Sequence, residues 1–176
     1  MTIVAPTRAG AAAAGARLPW MIGGVPHLTA APWDDPVVQA LTAAQQDELR
    51  GRYGPHSEPG LTPSAADVAL VLVARDDDGV PVGCGALRPL AEDTAEVKRM
   101  YVVPAARGRG LARALLAALE DAAIARGWTT LRLETGPAQP EAVALYTRAG
   151  YRPIGAFGHY VRADQDWSLY FERDLA

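Results

Sequence analysis

A chain of 176 residues with 49% hydrophobic and 21% charged residues has the make-up of one globular domain large enough to bury a substantial core. Its formal net charge of -3, with no basic run outside one arginine-bearing turn, argues against nucleic acid as the main partner and suits a cationic or neutral amine better. No apolar run approaches the ~18 residues needed to span a bilayer, so no membrane partner is expected. The single cysteine, Cys84, excludes an internal disulfide and fits a reducing, cytoplasmic compartment.

Residues 1–24 read as a flexible tail. Ala11 to Ala14, between Gly10 and Gly15, are too poor in Leu and Val for a signal-peptide core. Packing of Pro19-Trp20-Met21-Ile22 on a neighbouring subunit, hence a homodimer, is the alternative. Residues 25–176 read as one domain. His27 to Ala31 suits a first strand. Asp34 and Asp35 can cap a helix that Pro36 starts, and Val37, Val38, Leu41, Ala44 and Leu49 give it an apolar face up to Arg50. Gly51 to Ser64, with Gly54-Pro55 and Pro59-Gly60, reads as a long loop. Val68 to Ala74 and Val80 to Leu87 flank Arg75-Asp76-Asp77-Asp78-Gly79 as a hairpin. Those consecutive carboxylates lack the spaced ligands of a calcium loop, so no metal is expected there. Ala95 to Val103 is the next strand. Plain alternation puts Glu96, Lys98, Met100 and Val102 on one face and Val97, Arg99, Tyr101 and Val103 on the other.

That strand runs into Arg107-Gly108-Arg109-Gly110-Leu111-Ala112, a turn with little side chain at the point where helix periodicity begins. Several unpaired N–H groups must then point into one concavity, and with the helix dipole and Arg107, Arg109 and Arg113 they favour a phosphate. A Walker loop is excluded by the missing Gly-Lys-Ser/Thr. A dinucleotide fingerprint is excluded by Arg113 where a small residue is required. The helix that follows has Leu111, Leu115, Leu119 and Ala122 in fours and stops at Arg126-Gly127. Trp128 to Glu134 is a strand, Thr135-Gly136-Pro137 a break, and Pro140 to Ala149 a short helix ended by Gly150. Strands Tyr151 to Phe157 and Trp167 to Asp174 close the chain, joined by a turn with His159 and Asp164-Gln165-Asp166. The fold class expected is α/β (α+β), a single mixed sheet with helices on both faces.

The phosphate turn matches Q/R-x-x-G-x-G/A through Arg107, Gly110 and Ala112, after a strand ending Tyr101-Val102-Val103-Pro104. In this it resembles the GNAT superfamily of acyl-CoA N-acyltransferases. Gln139 to Tyr146 is similar to that superfamily's N-x-x-A-x-x-L-Y segment, and Gly150-Tyr151 to the Gly-Phe or Gly-Tyr that follows it. The resemblance covers roughly residues 65 to 176. It implies a mostly antiparallel sheet whose central strand pair splays apart. It also implies acetyl-CoA as donor, with the pyrophosphate cradled by Arg107, Gly108, Arg109, Gly110, Leu111, Ala112 and Arg113. The pantetheine arm would lie along the backbone of Met100, Tyr101 and Val102. Gln139 stands where the family usually has Asn, so its contact to the donor is lengthened or lost. The loop after the first helix would line the acceptor site, with His56 and Glu58 as acceptor contacts or merely solvated loop residues.

Acetyl transfer from a thioester to an amine needs a neutral amine, a polarised carbonyl and a proton for the departing thiolate. The resemblance gives the last role to Tyr146, which would otherwise be a core aromatic. Two glutamates occupy base positions of two branches of the superfamily: Glu96, eleven residues before Arg107, and Glu134, five before Gln139. The alternative for either is to bind a cationic substrate or to pair with Lys98, Arg99 or Arg132. Cys84 lies in an apolar strand with no histidine near it, which suits a buried side chain rather than a nucleophile. The expected activity is acetyl-CoA-dependent N-acetylation of a small-molecule or peptide amine by direct attack in a ternary complex, without a metal. A non-catalytic acyl-CoA-binding module and a protein N-terminal or lysine acetyltransferase stand as alternatives.

Overall fold

The computed structural model describes residues 27–54, 61–162 and 167–175. The segment 1–24, His56, Glu58 and the turn Asp164-Gln165-Asp166 lie outside the described residues. The described chain runs β1 (His27–Ala31), α1 (Pro36–Tyr53), β2 (Leu70–Arg75), β3 (Pro81–Pro89), β4 (Thr94–Val102), α2 (Leu111–Ile124), β5 (Thr130–Thr135), α3 (Pro140–Arg148), β6 (Arg152–Ile154) and β7 (Leu169–Asp174). The strands form one sheet in the order β1-β2-β3-β4-β5-β7-β6. Every neighbouring pair is antiparallel except β4 and β5. None of the described helices is long and apolar enough to cross a membrane.

Both faces of the sheet are covered, which is why β2 is apolar at nearly every position. Its Val71 and Val73 turn to one side, against Val38 and Leu41 of α1 and against Cys84 and Ala86. Leu72 and Ala74 turn to the other, where α2 packs Leu115, Leu116 and Leu119 onto Leu87, Val97, Leu131 and Leu133. Those three α2 leucines are at most 2% exposed, and burying each contributes about 1.5–3 kcal/mol. Tyr146 of α3 joins this second core.

The helix start is as the sequence predicts: Asp35 Oδ1 accepts the Val37 N–H at 2.7 Å and Pro36 takes the first turn. The helix runs on to Tyr53, three residues past Arg50, and Gly54 at φ 79° ends it. The penultimate strand is shorter than expected. Only Arg152–Ile154 pair with β7, and His159 sits in a 3-10 turn, Gly158–Arg162, which buries Phe157 and Tyr160.

The main correction concerns β4. Ala86 of β3 faces Lys98, while Cys84 faces Tyr101, so Gly85 alone on β3 stands against two residues of β4, Arg99 and Met100. The extra residue is a β-bulge at which Arg99 takes φ 57°. The bulge resets the alternation. Glu96 and Lys98 do not share a face with Met100 and Val102: Lys98 lies opposite Ala86 of the α1 core, whereas Met100 and Val102 join the α2 core. The bulge closes over a position without a side chain, since a Cβ on Gly85 would come within 2.7 Å of Met100 Sδ and 2.9 Å of Leu119 Cδ1.

Pairing between β4 and β5 is confined to Thr94–Val97 against Thr130–Leu133. Beyond Val97 the two strands part, leaving a gap in mid-sheet, so the splay that the resemblance implies is present. Cys84 lies in the α1 core with its Sγ 3.3 Å from the Arg99 carbonyl oxygen, and burial pushes its thiol up to about 12. At pH 8 this lowers the thiolate fraction roughly a thousandfold below that of an ordinary thiol. A disulfide reagent should therefore leave Cys84 unmodified in the folded chain and titrate one thiol in denaturant. Rapid labelling of the native chain would contradict this.

Candidate active site

The gap opens into a cleft of about 880 Å3 that runs from Met100, Tyr101 and Val102, past the glycine turn, to Arg148 and Arg173 between α2 and α3. Gly108 and Gly110 have φ 76° and 79°, the left-handed conformation for which a turn selects glycine. Gly110 is the N-cap of α2 and offers no side-chain acceptor. The N–H groups of Leu111, Ala112 and Arg113 in the first turn thus have no intrahelical partner. A Cβ on Gly108 or Gly110 would meet nothing within 4 Å, so the space above the turn is open to a ligand. A concave row of free amides at a helix start fits a pyrophosphate, and the cleft has the size of a cofactor-length site.

The three arginines divide their work. Arg107 turns inward: its Nε donates to the Val102 carbonyl at 2.9 Å and its guanidinium meets Glu48 Oε2 at 2.5 Å. That guanidinium, joined by Arg52 at 2.7 Å, holds the Glu48 carboxyl below the usual carboxylate range. Arg107 is a strut between α1 and the turn, and much of its charge is met there. Arg113 lines the cleft, while Arg109 is exposed and does not. Gln139 also lines the cleft, but its Oε1 faces back to the Gly136 N–H at 3.3 Å and the Thr135 hydroxyl at 3.4 Å.

A second, narrower recess of about 80 Å3 lies in the gap itself. Lys98 and Arg99 of β4, Glu134 of β5, and Tyr53 and Trp167 line it. Tyr53 and Trp167 stack at 4.8 Å with their planes 13° apart. Gly136 is needed beneath them, because a Cβ there would collide with the Tyr53 hydroxyl. The two spaces meet at Gln45, Met100, Gln139 and Tyr146.

Tyr146 is 6% exposed, with its ring edge-on to Tyr151 at 5.8 Å. Burial, reinforced by the Glu134 carboxylate, pushes its hydroxyl well above the ordinary tyrosine range, so the group is a proton donor at neutral pH. Glu134 lines the recess and accepts from the Ser168 hydroxyl at 2.8 Å. Glu96 lines neither space. It is fully buried, with Arg88 Nε at 3.0 Å and Nη2 at 2.6 Å, the Tyr160 hydroxyl donating at 2.6 Å and Lys98 Nζ at 3.7 Å. The structure therefore brings Glu134, Tyr146 and the glycine turn to one gap and puts Glu96 behind it. Among the described residues, no cluster of His, Cys, Asp or Glu is arranged to hold a metal ion. Gln45, Tyr53 and Trp167 were not singled out from the sequence. Their positions depend on α1 and the segment before β7 folding over the gap, a long-range contact that no local spacing records.

This combination of splayed sheet, helix-start amides and paired clefts is that of an acyl-group transferase. The model of the Acetyltransferase (GNAT) family matches residues 38–151, and the chain belongs to that family. It is 37% identical over 162 residues to the IAA acetyltransferase of Azospirillum brasilense, covering 86% of this chain and 100% of the relative. Among solved structures, a Klebsiella pneumoniae protein assigned as an acyl-CoA N-acyltransferase matches with a TM-score of 0.73 and 37% identity, over 86% of this chain and 98% of that one. The PaiA N-acetyltransferase of Thermoplasma acidophilum, solved with coenzyme A, shares the fold at a TM-score of 0.51 and 20% identity, over 61% of each chain. The chain is an acetyltransferase of the GNAT family.

Proposed function

We propose that this chain transfers the acetyl group of acetyl-CoA to an amine by direct attack in a ternary complex. The observation that carries the reading is the meeting of the long cleft and the narrow recess at Tyr146, which lines both. The long cleft suits the donor: free amides for the pyrophosphate at one end, and the gap-facing backbone of Met100 to Val102 for the pantetheine arm. The recess suits the acceptor. There the amine nitrogen attacks the thioester carbonyl carbon, a C–N bond forms and the C–S bond breaks. Glu134 takes the proton from the amine, directly or through water, and the Tyr146 hydroxyl protonates the leaving sulfur. The products are the N-acetylated amine and free coenzyme A thiol. The buried, fully engaged Glu96 favours Glu134 for the base.

Acetyl-CoA should raise the melting temperature, since a ligand that binds only the folded state stabilises it by about 2.7 kcal/mol at a hundredfold excess over Kd. NAD and ATP should do so much less, and equal stabilisation by NAD would sink the reading. Gly110→Val should abolish the acetyl-CoA shift while leaving the far-ultraviolet circular dichroism unchanged, because it fills the open space over the turn and forces a side chain into the left-handed conformation.

A further inference from the structure

We propose that Gln45 is a positioning residue for the amide arm of the donor, its Oε1 accepting the N–H of the arm's amide nearest the thioester; this rests on the acetyltransferase reading above. The first observation is the direction of the β4 backbone beside the gap. Just past the end of β4, the Val103 N–H donates to the Val82 carbonyl of β3 at 2.9 Å. The Val102 carbonyl, on the same peptide unit, therefore points away from β3. Tyr101 pairs with Cys84 two positions earlier in the same register, which turns the Met100 carbonyl the same way. β4 has no β5 partner beyond Val97, so both carbonyls face the gap.

The second observation is that side chains from outside the strand already hold both of these acceptors. Arg107 Nε donates to the Val102 carbonyl and Gln45 Nε2 to the Met100 carbonyl, each at 2.9 Å. The Gln45 carboxamide thus stands where a peptide group of a neighbouring strand would stand, and it carries the edge of β4 one amide further into the gap. The same bond fixes which end of the amide is oxygen.

The third observation is that this oxygen is unmet. Gln45 Oε1 is buried and has no donor among the described residues. Leaving a buried acceptor in that state is costly, and the cost is recovered when a ligand supplies the donor. Gln45 lies, with Met100, Gln139 and Tyr146, where the long cleft meets the recess. The donor's sulfur must come to the Tyr146 hydroxyl, and the arm's last amide N–H is two carbons from that sulfur, so it falls at this junction. There it would be a buried donor in need of an acceptor, as Oε1 is a buried acceptor in need of a donor. The other amide at the junction is turned away, since Gln139 Oε1 faces the Gly136 N–H and the Thr135 hydroxyl. Oε1 is shut off from solvent, so the arm reaches it by spreading the junction, and the stretch of β4 without a β5 partner is the part that yields.

The test uses coenzyme A and 3′-phospho-ADP, the same molecule without its arm, each titrated by calorimetry into wild type, Gln45→Lys and Gln45→Met. The lysine keeps a donor for the Met100 carbonyl and has no acceptor; the methionine has neither. Both variants should bind coenzyme A roughly 10-fold more weakly relative to 3′-phospho-ADP than wild type does. Only Gln45→Met, which also loses the brace between α1 and β4, should melt lower. The ratio of the two affinities is a quantity that a merely structural role does not move, and a charge brought in at position 45 acts on both nucleotides alike. Binding of 3′-phospho-ADP also shows that each variant keeps a folded glycine turn. An unchanged ratio in Gln45→Lys would overturn the proposal and leave the acetyltransferase reading standing. So would a ratio that falls in Gln45→Met alone, because the brace and not the acceptor would then account for it. Failure of the wild type to bind coenzyme A would overturn the reading, and the proposal with it.

Discussion

Glu134→Gln should lower kcat by about 10²–10⁴-fold with little change in melting temperature, whereas Glu96→Gln should cost the fold heavily. Glu134 lines the recess, and its amide replacement keeps the shape while removing a proton acceptor. The loss should be greatest at low pH, where the acceptor amine is mainly protonated and needs a base, and should shrink as pH rises and the amine deprotonates by itself. Glu96 sits under the sheet with Arg88, whose side chain is 5% exposed, and Lys98, at 8%. Neutralising it leaves two buried cations with the Asp67 carboxylate, 3.4 Å from Arg88, as the remaining counter-charge close to either among the described residues. Breaking a buried pair from one side costs about 3–5 kcal/mol. For a chain of this size that is a fall of roughly 10 °C in melting temperature. A kinetic loss confined to Glu96→Gln would transfer the role of base to Glu96. Small, equal kinetic effects from both would mean that solvent removes the proton.

Tyr146→Phe should lower kcat on the order of 10²-fold and leave stability and the acetyl-CoA shift near wild type. The thiolate it protonates has a pKa near that of a free thiol, about 8.5, and is a tolerable leaving group, so the lower end of the range for general acid catalysis applies. Because burial raises the Tyr146 hydroxyl above the ordinary tyrosine range, the acid stays protonated across the working range, and activity should not decline on the alkaline side from loss of this proton below about pH 10. The competing role is packing alone, since the ring lies against Tyr151 and Phe171. In that case Phe would be silent in kinetics and only Tyr146→Ala would matter, destabilising by roughly 3–5 kcal/mol. Measuring kcat and Tm for both variants decides: an unchanged kcat in Tyr146→Phe removes the residue from the chemistry.

Local signals carried most of the architecture. Asp35 and Pro36 mark the start of α1, Gly110 that of α2 and Gly150 the end of α3, because each boundary rests on the conformation or hydrogen bonding of one or two residues. The glycine turn was legible for the same reason. What the sequence hides is a matter of register. The bulge at Arg99 follows no composition rule, so alternation predicted the wrong face for everything beyond it. The two glutamates looked equivalent because spacing along the chain is blind to depth. Only the folded sheet puts Arg88, Tyr160 and Lys98 around Glu96 and leaves Glu134 at the gap. Arg107 shows the same limit, since its bond to Glu48 joins residues 59 positions apart.

The sheet is two antiparallel assemblies, β1 to β4 and β5 to β7, held side by side by four paired residues on each central strand. Parallel pairing across that seam connects segments distant in the chain, the kind of contact that forms late in folding and opens first. Below it, the α2 core ties the two assemblies together; above it they diverge. A molecule lying in the divergence touches both, so part of its binding free energy appears as stiffness between them. The site thus occupies the place where the fold is least cross-braced, and filling it supplies the missing brace.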